Sequence, residues 1–223
     1  KQVLFGQGGV VSGKHDDMTV ADMSTINPNA AKEISKKLHD EGIKSIEIPV
    51  MGGPNVAIDG KLVLMASGDK ESFERFSKVF NTIANKTFFL GESGSAHSIK
   101  LAMNLQISLL ALSLSEGIML TKKAGFDPEI FLKILNSTYF STGMSQNKAF
   151  KMIKDEYQPT FTLKNMKKDL DTILASAKDF DAKLPIAERA NEIYKQALDA
   201  GFGEIDYTGI LAYIKKLSEP KNL

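Results

Sequence analysis

Residues 87–124 read TFFLGESGSAHSIKLAMNLQISLLALSLSEGIMLTKKA, and the reading of the fold turns on them. Thr87 to Leu90 is a short β-branched and aromatic run closed by Gly91, the pattern of a strand and its stop. From about His97 to Ala124 the apolar residues fall on nearly every side of a helical wheel, which predicts a buried helix. Ahead of Gly94, strand and helix signals alternate; after it, every segment reads as helix. The chain therefore divides into an α/β part, residues 1–93, and an all-α part, residues 94–223. The long buried helix joins them without a flexible linker.

Working upstream, Thr19 to Met23 reads as a strand. Asn27 and Pro28 form an N-cap and first helical position, and the helix runs through Ile34 and Leu38 to a stop at Gly42. Ser45 to Val50 is the next strand, followed by a Gly52-Gly53-Pro54 loop, a short helical piece and a strand over Lys61 to Ala66. Asp69 caps a helix with Phe73, Phe76, Val79 and Phe80 at helical spacing. This is the rhythm of an open sheet covered by helices. Downstream, Asp127-Pro128 starts one helix, Phe161 to Phe180 forms a long amphipathic one, Pro185 to Ala200 another with Gly201 as its stop, and Asp206 caps a last helix through Ile214.

Composition narrows the function classes. The 223 residues are 43% apolar, enough for a sizeable core. With 28 basic against 27 acidic residues the formal charge is +1, so no whole-protein field draws the chain to nucleic acid or an anionic membrane. A small molecule or another chain is the expected partner. There is no Cys and there are three His, which excludes a disulfide framework and a thiolate metal site and fits a reducing, cytoplasmic setting. The longest uncharged stretch, Leu101 to Ser115, is short of the roughly 20 residues a bilayer requires. Residue 1 is Lys rather than Met, as expected of a processed or truncated chain.

Several clusters carry possible chemistry. Gly8, Gly13 and Lys14 nearly spell a phosphate-binding loop, but His15 replaces the metal-binding hydroxyl, Asp16 and Asp17 repel phosphate, and a strand follows where a helix is needed. Lys100 is the strongest oddity, a charge among Ile99, Leu101, Ala102 and Met103. His97, Lys100 and Asn104 share one helix face and either point into a cleft or form its wetted side with a snorkelling lysine. Gly52 and Gly53 follow a strand, at the carboxyl end where open sheets bind ligands; they read as an anion-binding turn or as a plain turn. Ser24 and Thr25, after the preceding strand, read as cofactor-facing hydroxyls or turn residues. Lys164, Lys167, Lys168 and Asp169 read as a solvated helix face or, through Lys164 and Lys168, as a charged-ligand contact.

Taken together the pieces resemble the β-hydroxyacid dehydrogenases, which include 3-hydroxyisobutyrate dehydrogenase, tartronate semialdehyde reductase, glyoxylate/succinic semialdehyde reductase and, more distantly, 6-phosphogluconate dehydrogenase. The family's D-x-S-T-I-x-P appears as Asp22 to Pro28. Its P-V-S-G-G loop appears as Pro49-Val50-Met51-Gly52-Gly53, and its G-x-x-G-x-G-x-x-x-K-x-x-x-N as Gly91, Gly94, Lys100 and Asn104. Its F-x-L-x-x-x-x-K-D-L appears as Phe161, Leu163, Lys168, Asp169 and Leu170. The resemblance implies the C-terminal part of a Rossmann-type NAD(P)-binding domain followed by a helical domain like that of 6-phosphogluconate dehydrogenase, with the site between them.

It further implies hydride transfer between NAD or NADP and a small hydroxyacid or its carbonyl partner, in a homo-oligomer, dimer or tetramer, without nucleic acid, membrane or metal. In these roles Lys100 is the catalytic acid/base, its pKa drawn toward neutrality by desolvation, and Asn104 orients the reacting oxygen. Met51, Gly52 and Gly53 take the substrate carboxylate; Thr25, Phe161 and Lys168 contact the cofactor. Three departures stand out. Met51 replaces a Ser, Ala96 replaces a Gly, and the dinucleotide fingerprint with its first βαβ unit is absent from these residues. The alternative to an enzyme is a non-catalytic oligomerisation or ligand-binding module.

Overall fold

The computed structural model describes residues 1–219, and the chain forms two compact units. The first comprises Lys1–Met103 with Lys178–Phe180; the second comprises Asn104–Ala177 and the described residues from Asp181 onward. The division between these units falls inside the long helix.

In the first unit, α1 (Gln2–Phe5) and a 3-10 turn (Val10–Gly13) open the chain, and Leu4, Phe5 and Val11 pack on a small core around Ile34, Leu38 and Ile43. β1 (Thr19–Asp22) leads to α2 (Pro28–Asp40), where the Asn27 side chain accepts from the N–H groups of Asn29 and Ala30 and Pro28 occupies the first turn, as the sequence requires. β2 (Lys44–Glu47) runs parallel to β1, pairing Thr19 with Lys44 and Asp22 with Glu47.

The single strand expected over 45–50 is interrupted at Ile48-Pro49, because Pro has no N–H to continue a ladder; Val50–Met51 forms a separate β3. After α3 (Pro54–Ile58), β4 (Leu62–Gly68) runs antiparallel to both β2 and β3. Asp69 accepts from Ser72 N–H and caps α4 (Lys70–Arg75). Phe76, at φ −94° and ψ 10°, breaks the expected single helix, and α5 (Ser77–Ile83) follows. Phe73 and Phe80 stack 5.7 Å apart on the core, whereas Val79 is 57% exposed and leaves the predicted stripe. β5 (Ala84–Phe89) lies parallel to β4 and completes a mixed sheet with Ile46, Ile48, Leu64 and Ala66 fully buried.

α6 (Ser95–Lys123) starts in the first unit and continues into the second. By length and composition it is apolar enough to cross a bilayer, but Ala111, Leu114 and Ile118 are core residues. The expectation of burial on nearly all sides needs correction: Ile99, Met103 and Leu120 are exposed by 46%, 41% and 74%. The second unit continues with α7 (Pro128–Asn136), whose N-cap is Asp127, then α8 (Gly143–Asn147), α9 (Ala149–Ile153), α10 (Leu163–Asp179) and α11 (Pro185–Ala197). A π turn containing Gly201 at φ +93° and a 3-10 turn capped by Asp206 lead to α12 (Ile210–Leu217). Leu132, Ala149, Met152 and Leu211 form one fully buried core cluster there.

Candidate functional site

In the first unit the structure brings Lys100 to Met51. The lysine is half-buried in α6, and its Nζ lies 3.0 Å from Met51 Sδ. Met51 is held by its pairing with Val63 on β4. The next residue, Gly52, has φ +136°, and a Cβ there would come within 2.7 Å of Leu62 Cδ2 and 2.9 Å of Val56 Cγ1. Both the backbone conformation and the space demand glycine. Gly53 is exposed and extended, at φ −92° and ψ −179°. Thr25, half-buried, sits in a tight passage from β1 to α2, fixed by the Asp22 carboxylate accepting Ser24 N–H at 2.8 Å and by the Asn27 cap.

At the start of α6 lies a group that sequence reasoning missed. Glu47 is only 5% exposed, yet its carboxylate accepts from Ser67 Oγ at 2.8 Å, from the hydroxyl of Ser93, and from Gly94 N–H at 2.7 and 2.8 Å. Ser67, its partner in the β2–β4 register, also accepts Ala96 N–H at 3.1 Å. His97 is fully buried with Nε2 3.9 Å from Glu47 Oε2, and among the described residues neither ring nitrogen has a hydrogen-bond partner. Burial holds its pKa below the ordinary imidazole value, against the opposite pull of the Glu47 and Asp22 carboxylates. The signal for Glu47 was a charge between Ile46 and Ile48, two residues ahead of the Pro49-Val50-Met51 stretch.

In the second unit Asn104 is 5% exposed and donates from Nδ2 to Asp169 Oδ2 at 2.6 Å. A carboxylate only accepts, so this bond decides which end of the amide faces Asp169. Asp169, 1% exposed, is paired through Oδ1 with Lys168 Nζ at 2.7 Å, while the Lys168 side chain is 55% exposed. The local basic cluster therefore splits: Lys164 and Lys167 pair with Glu204 and Asp171, and Asp169 turns inward to Asn104. Its place on the buried stripe of Met166, Leu170 and Ile173 was the readable signal.

Phe161 lies edge-on to Tyr207, centroids 6.2 Å apart. Its backbone is fixed on both sides, with Tyr207 N–H donating to Phe161 O at 2.9 Å and Thr160 N–H to Asp206 Oδ2 at 3.0 Å. Burial opposes ionisation of Asp206, but Thr160, the Lys148 ammonium and Thr208 outweigh it and hold the pKa below the usual carboxylate range. Lys100 and Asn104 sit one turn apart on the unbroken α6. Among the described residues no His, Asp, Glu or Cys cluster forms a metal site.

Comparison with known proteins places the chain in a family. Residues 94–214 match the family model for the NAD-binding domain of NADP-dependent 3-hydroxyisobutyrate dehydrogenase, and residues 1–91 match that for the NAD-binding domain of 6-phosphogluconate dehydrogenase. The chain is 31% identical over 213 residues to glyoxylate/succinic semialdehyde reductase 1 of Arabidopsis thaliana, covering 96% of this chain and 74% of that one. It is also 31% identical to the chloroplastic reductase 2 of the same plant, of which it spans 60%. The cytokine-like nuclear factor N-PAC of Aedes aegypti is 29% identical, and the chain spans 38% of it. A crystal structure of 3-hydroxyisobutyrate dehydrogenase from Salmonella typhimurium superposes with a TM-score of 0.87 at 25% identity, over 95% of this chain and 74% of that one. With fold, motifs and relatives in agreement, the chain belongs to the 3-hydroxyisobutyrate dehydrogenase family of NAD(P)-dependent oxidoreductases.

Proposed function

We propose that this protein interconverts a small hydroxyacid and its semialdehyde or other carbonyl partner, with Lys100 as the group that gives or takes the proton. The observation that carries this reading is the half-buried Lys100 ammonium against the 51–53 loop, 3.0 Å from Met51 Sδ. A lysine in such a setting serves acid/base work, whereas a snorkelling lysine has its head in water.

β1 and β2 are parallel and end together at Asp22 and Glu47, the end of an open sheet where nucleotides bind. The polar, aromatic and basic donors assigned to the nicotinamide end, Thr25, Phe161 and Lys168, suit a ribose, a ring and a charge. For the pyrophosphate the described residues offer no strand, glycine-rich turn and helix in succession: Gly6, Gly8, Gly9 and Gly13 lie around α1 and the 3-10 turn, with no strand before them. The fit is therefore to the nicotinamide end.

When bound, the cofactor supplies or accepts the hydride. The chain's own part is to bind, orient and protonate. Exposed backbone at Gly52 and Gly53 receives the substrate carboxylate. Lys100 Nζ donates a proton to the carbonyl oxygen on reduction and takes it back from the hydroxyl on oxidation. The resemblance assigns Asn104 to orient the reacting oxygen, and its amide is held by the buried Asp169 carboxylate. The names of the Arabidopsis relatives, which act on glyoxylate and succinic semialdehyde, support a short carbonyl acid as substrate class. Against a non-catalytic module stands the retention of Lys100 and of an Asn104 locked by a buried carboxylate. A homo-oligomer belongs to the same reading, supported by outward apolar residues Ile134, Tyr139 and Phe140, exposed by 61%, 89% and 58%; light scattering on the eluting protein tests it.

The decisive experiment is Lys100→Ala in the intact gene product. Loss of about 10²- to 10⁴-fold in kcat with cofactor affinity retained is expected. Wild-type kcat across the alkaline range would remove Lys100 from the chemistry.

A further inference from the structure

We propose that Glu47 is a positioning residue for Lys100: with Ser67 it forms a cap, supplied by the sheet, that fixes the setting of the first turn of α6. The proposal rests on the reading of Lys100 as the proton-transfer group only for its catalytic consequence. The placement itself follows from geometry.

A helix begins with backbone N–H groups that have no partner within it. The residue before α6 is Gly94, which has no side chain to cap them, and the Ser93 hydroxyl is turned to Glu47 instead. The caps come from neighbouring strands. Ser67 Oγ on β4 accepts Ala96 N–H, and the Glu47 carboxylate on β2 accepts Gly94 N–H through both oxygens. Glu47 and Ser67 are direct cross-strand partners and bond to each other at 2.8 Å, so the two caps form one rigid group. A buried carboxylate is costly unless its oxygens are satisfied and a positive charge or dipole faces it. Here two hydroxyls, one N–H and the amino end of a 29-residue helix meet it.

From Gly94 to Lys100 is six residues, about 9 Å of helix rise. A helix transmits an axial or rotational slip along that distance with little loss. The 51–53 loop that faces Lys100 is anchored through Met51 and Val63 to β4, the strand that carries Ser67. One strand therefore sets both the start of the helix and the loop, and the 3.0 Å approach of Lys100 Nζ to Met51 Sδ depends on both. His97, in the same turn, is a built-in reporter. Its ring faces Glu47 from β2 and, more distantly, Asp22 at the end of β1.

The test uses the chain with its lysine amines reductively methylated with ¹³C, the Lys100 signal being assigned from Lys100→Arg, and with the His97 ring protons followed by NMR. Three variants are compared: Glu47→Gln, Ser67→Ala and Glu47→Asp. In Glu47→Gln and Ser67→Ala the Lys100 signal and its titration midpoint should both move. The His97 signals should shift with it, and Glu47→Asp should restore part of the wild-type pattern. In the intact gene product the same two variants should lose about tenfold in kcat while KM for the cofactor holds. Folded variants with lower Tm but an unmoved Lys100 signal and midpoint would overturn the proposal. Should Glu47→Gln not fold, Ser67→Ala decides alone. A moved Lys100 signal with unchanged kcat would uphold the positioning and refute the proton-transfer role of Lys100.

Discussion

Replacing Asp169 by Ala removes the sole hydrogen-bond acceptor found for Asn104 Nδ2 among the described residues, in a place where both side chains are at least 95% buried. A hydrogen bond to a charged group contributes about 1.5–3 kcal/mol net, and stranding the amide in a buried place puts the cost toward the upper end of that range. The Lys168 pairing is 55% exposed on the lysine side and adds at most about 0.5 kcal/mol. The sum is roughly 2–4 kcal/mol. At about 2–4 °C per kcal/mol for a chain of this size, Tm should fall by roughly 5–15 °C.

Asp169→Asn keeps an acceptor oxygen and loses the charge, so it should lose less than half as much. A double-mutant cycle with Asn104→Ala, read by urea unfolding, isolates the pair and should return about 1.5–3 kcal/mol of coupling. If Asn104 orients the reacting oxygen as proposed, Asp169→Asn in the intact gene product should lower kcat more than KM, because the amide loses its fixed rotamer. An Asp169→Ala variant within 0.5 kcal/mol of wild type, or a coupling energy near zero, would refute the reasoning that Asp169 locks Asn104.

Met51→Ser places a hydroxyl where a thioether now meets Lys100, and a lower KM is expected across a panel of three- and four-carbon hydroxyacids; no change for any member would mean that position 51 does not face substrate. Gly52→Ala should cost at least about 1–3 kcal/mol by urea unfolding, since φ +136° and the 2.7 Å approach to Leu62 both oppose a Cβ. Isothermal titration of these 223 residues should give weak binding of NADH and of NADPH, no tighter than reduced nicotinamide mononucleotide; micromolar binding of either dinucleotide would show a pyrophosphate site. Finally, because the folded pKa of His97 lies below its unfolded value, the unfolded chain binds the extra proton as pH drops below about 6.5. Stability should be fully present above that pH and fall below it, and His97→Gln should flatten this slope in pH-dependent unfolding.

Local chemistry made much of the fold legible. Asn27-Pro28, Asp69 and Asp127-Pro128 each announced a helix start, because a cap is a contact between residues two or three apart. The reversal of β4 was not legible, since strand direction is decided by which backbone lies alongside. Nor was the break at Phe76, where three phenylalanines on one small core outweigh helical continuity. α8 and α9 were missed because each has five residues and shows no full apolar period. In the site, Lys100 and Asn104 stood out as polar residues on an apolar helix. Glu47 and Asp169, which hold the two ends of that arrangement, did not, because their partners lie 47 and 65 residues away.

The unbroken α6 carries an evolutionary consequence. Lys100 and Asn104 are separated by one helical turn, a distance set by backbone hydrogen bonds and indifferent to what the protein acts upon. The Met51–Gly53 loop belongs to another element, and its first side chain can change without touching that spacing. On the proposed function, reaction type and substrate preference are thus written on separate pieces of chain. Under that proposal a lineage could trade one small acid for another by substitutions in the loop, beginning at Met51, while the spacing on the helix stays unchanged.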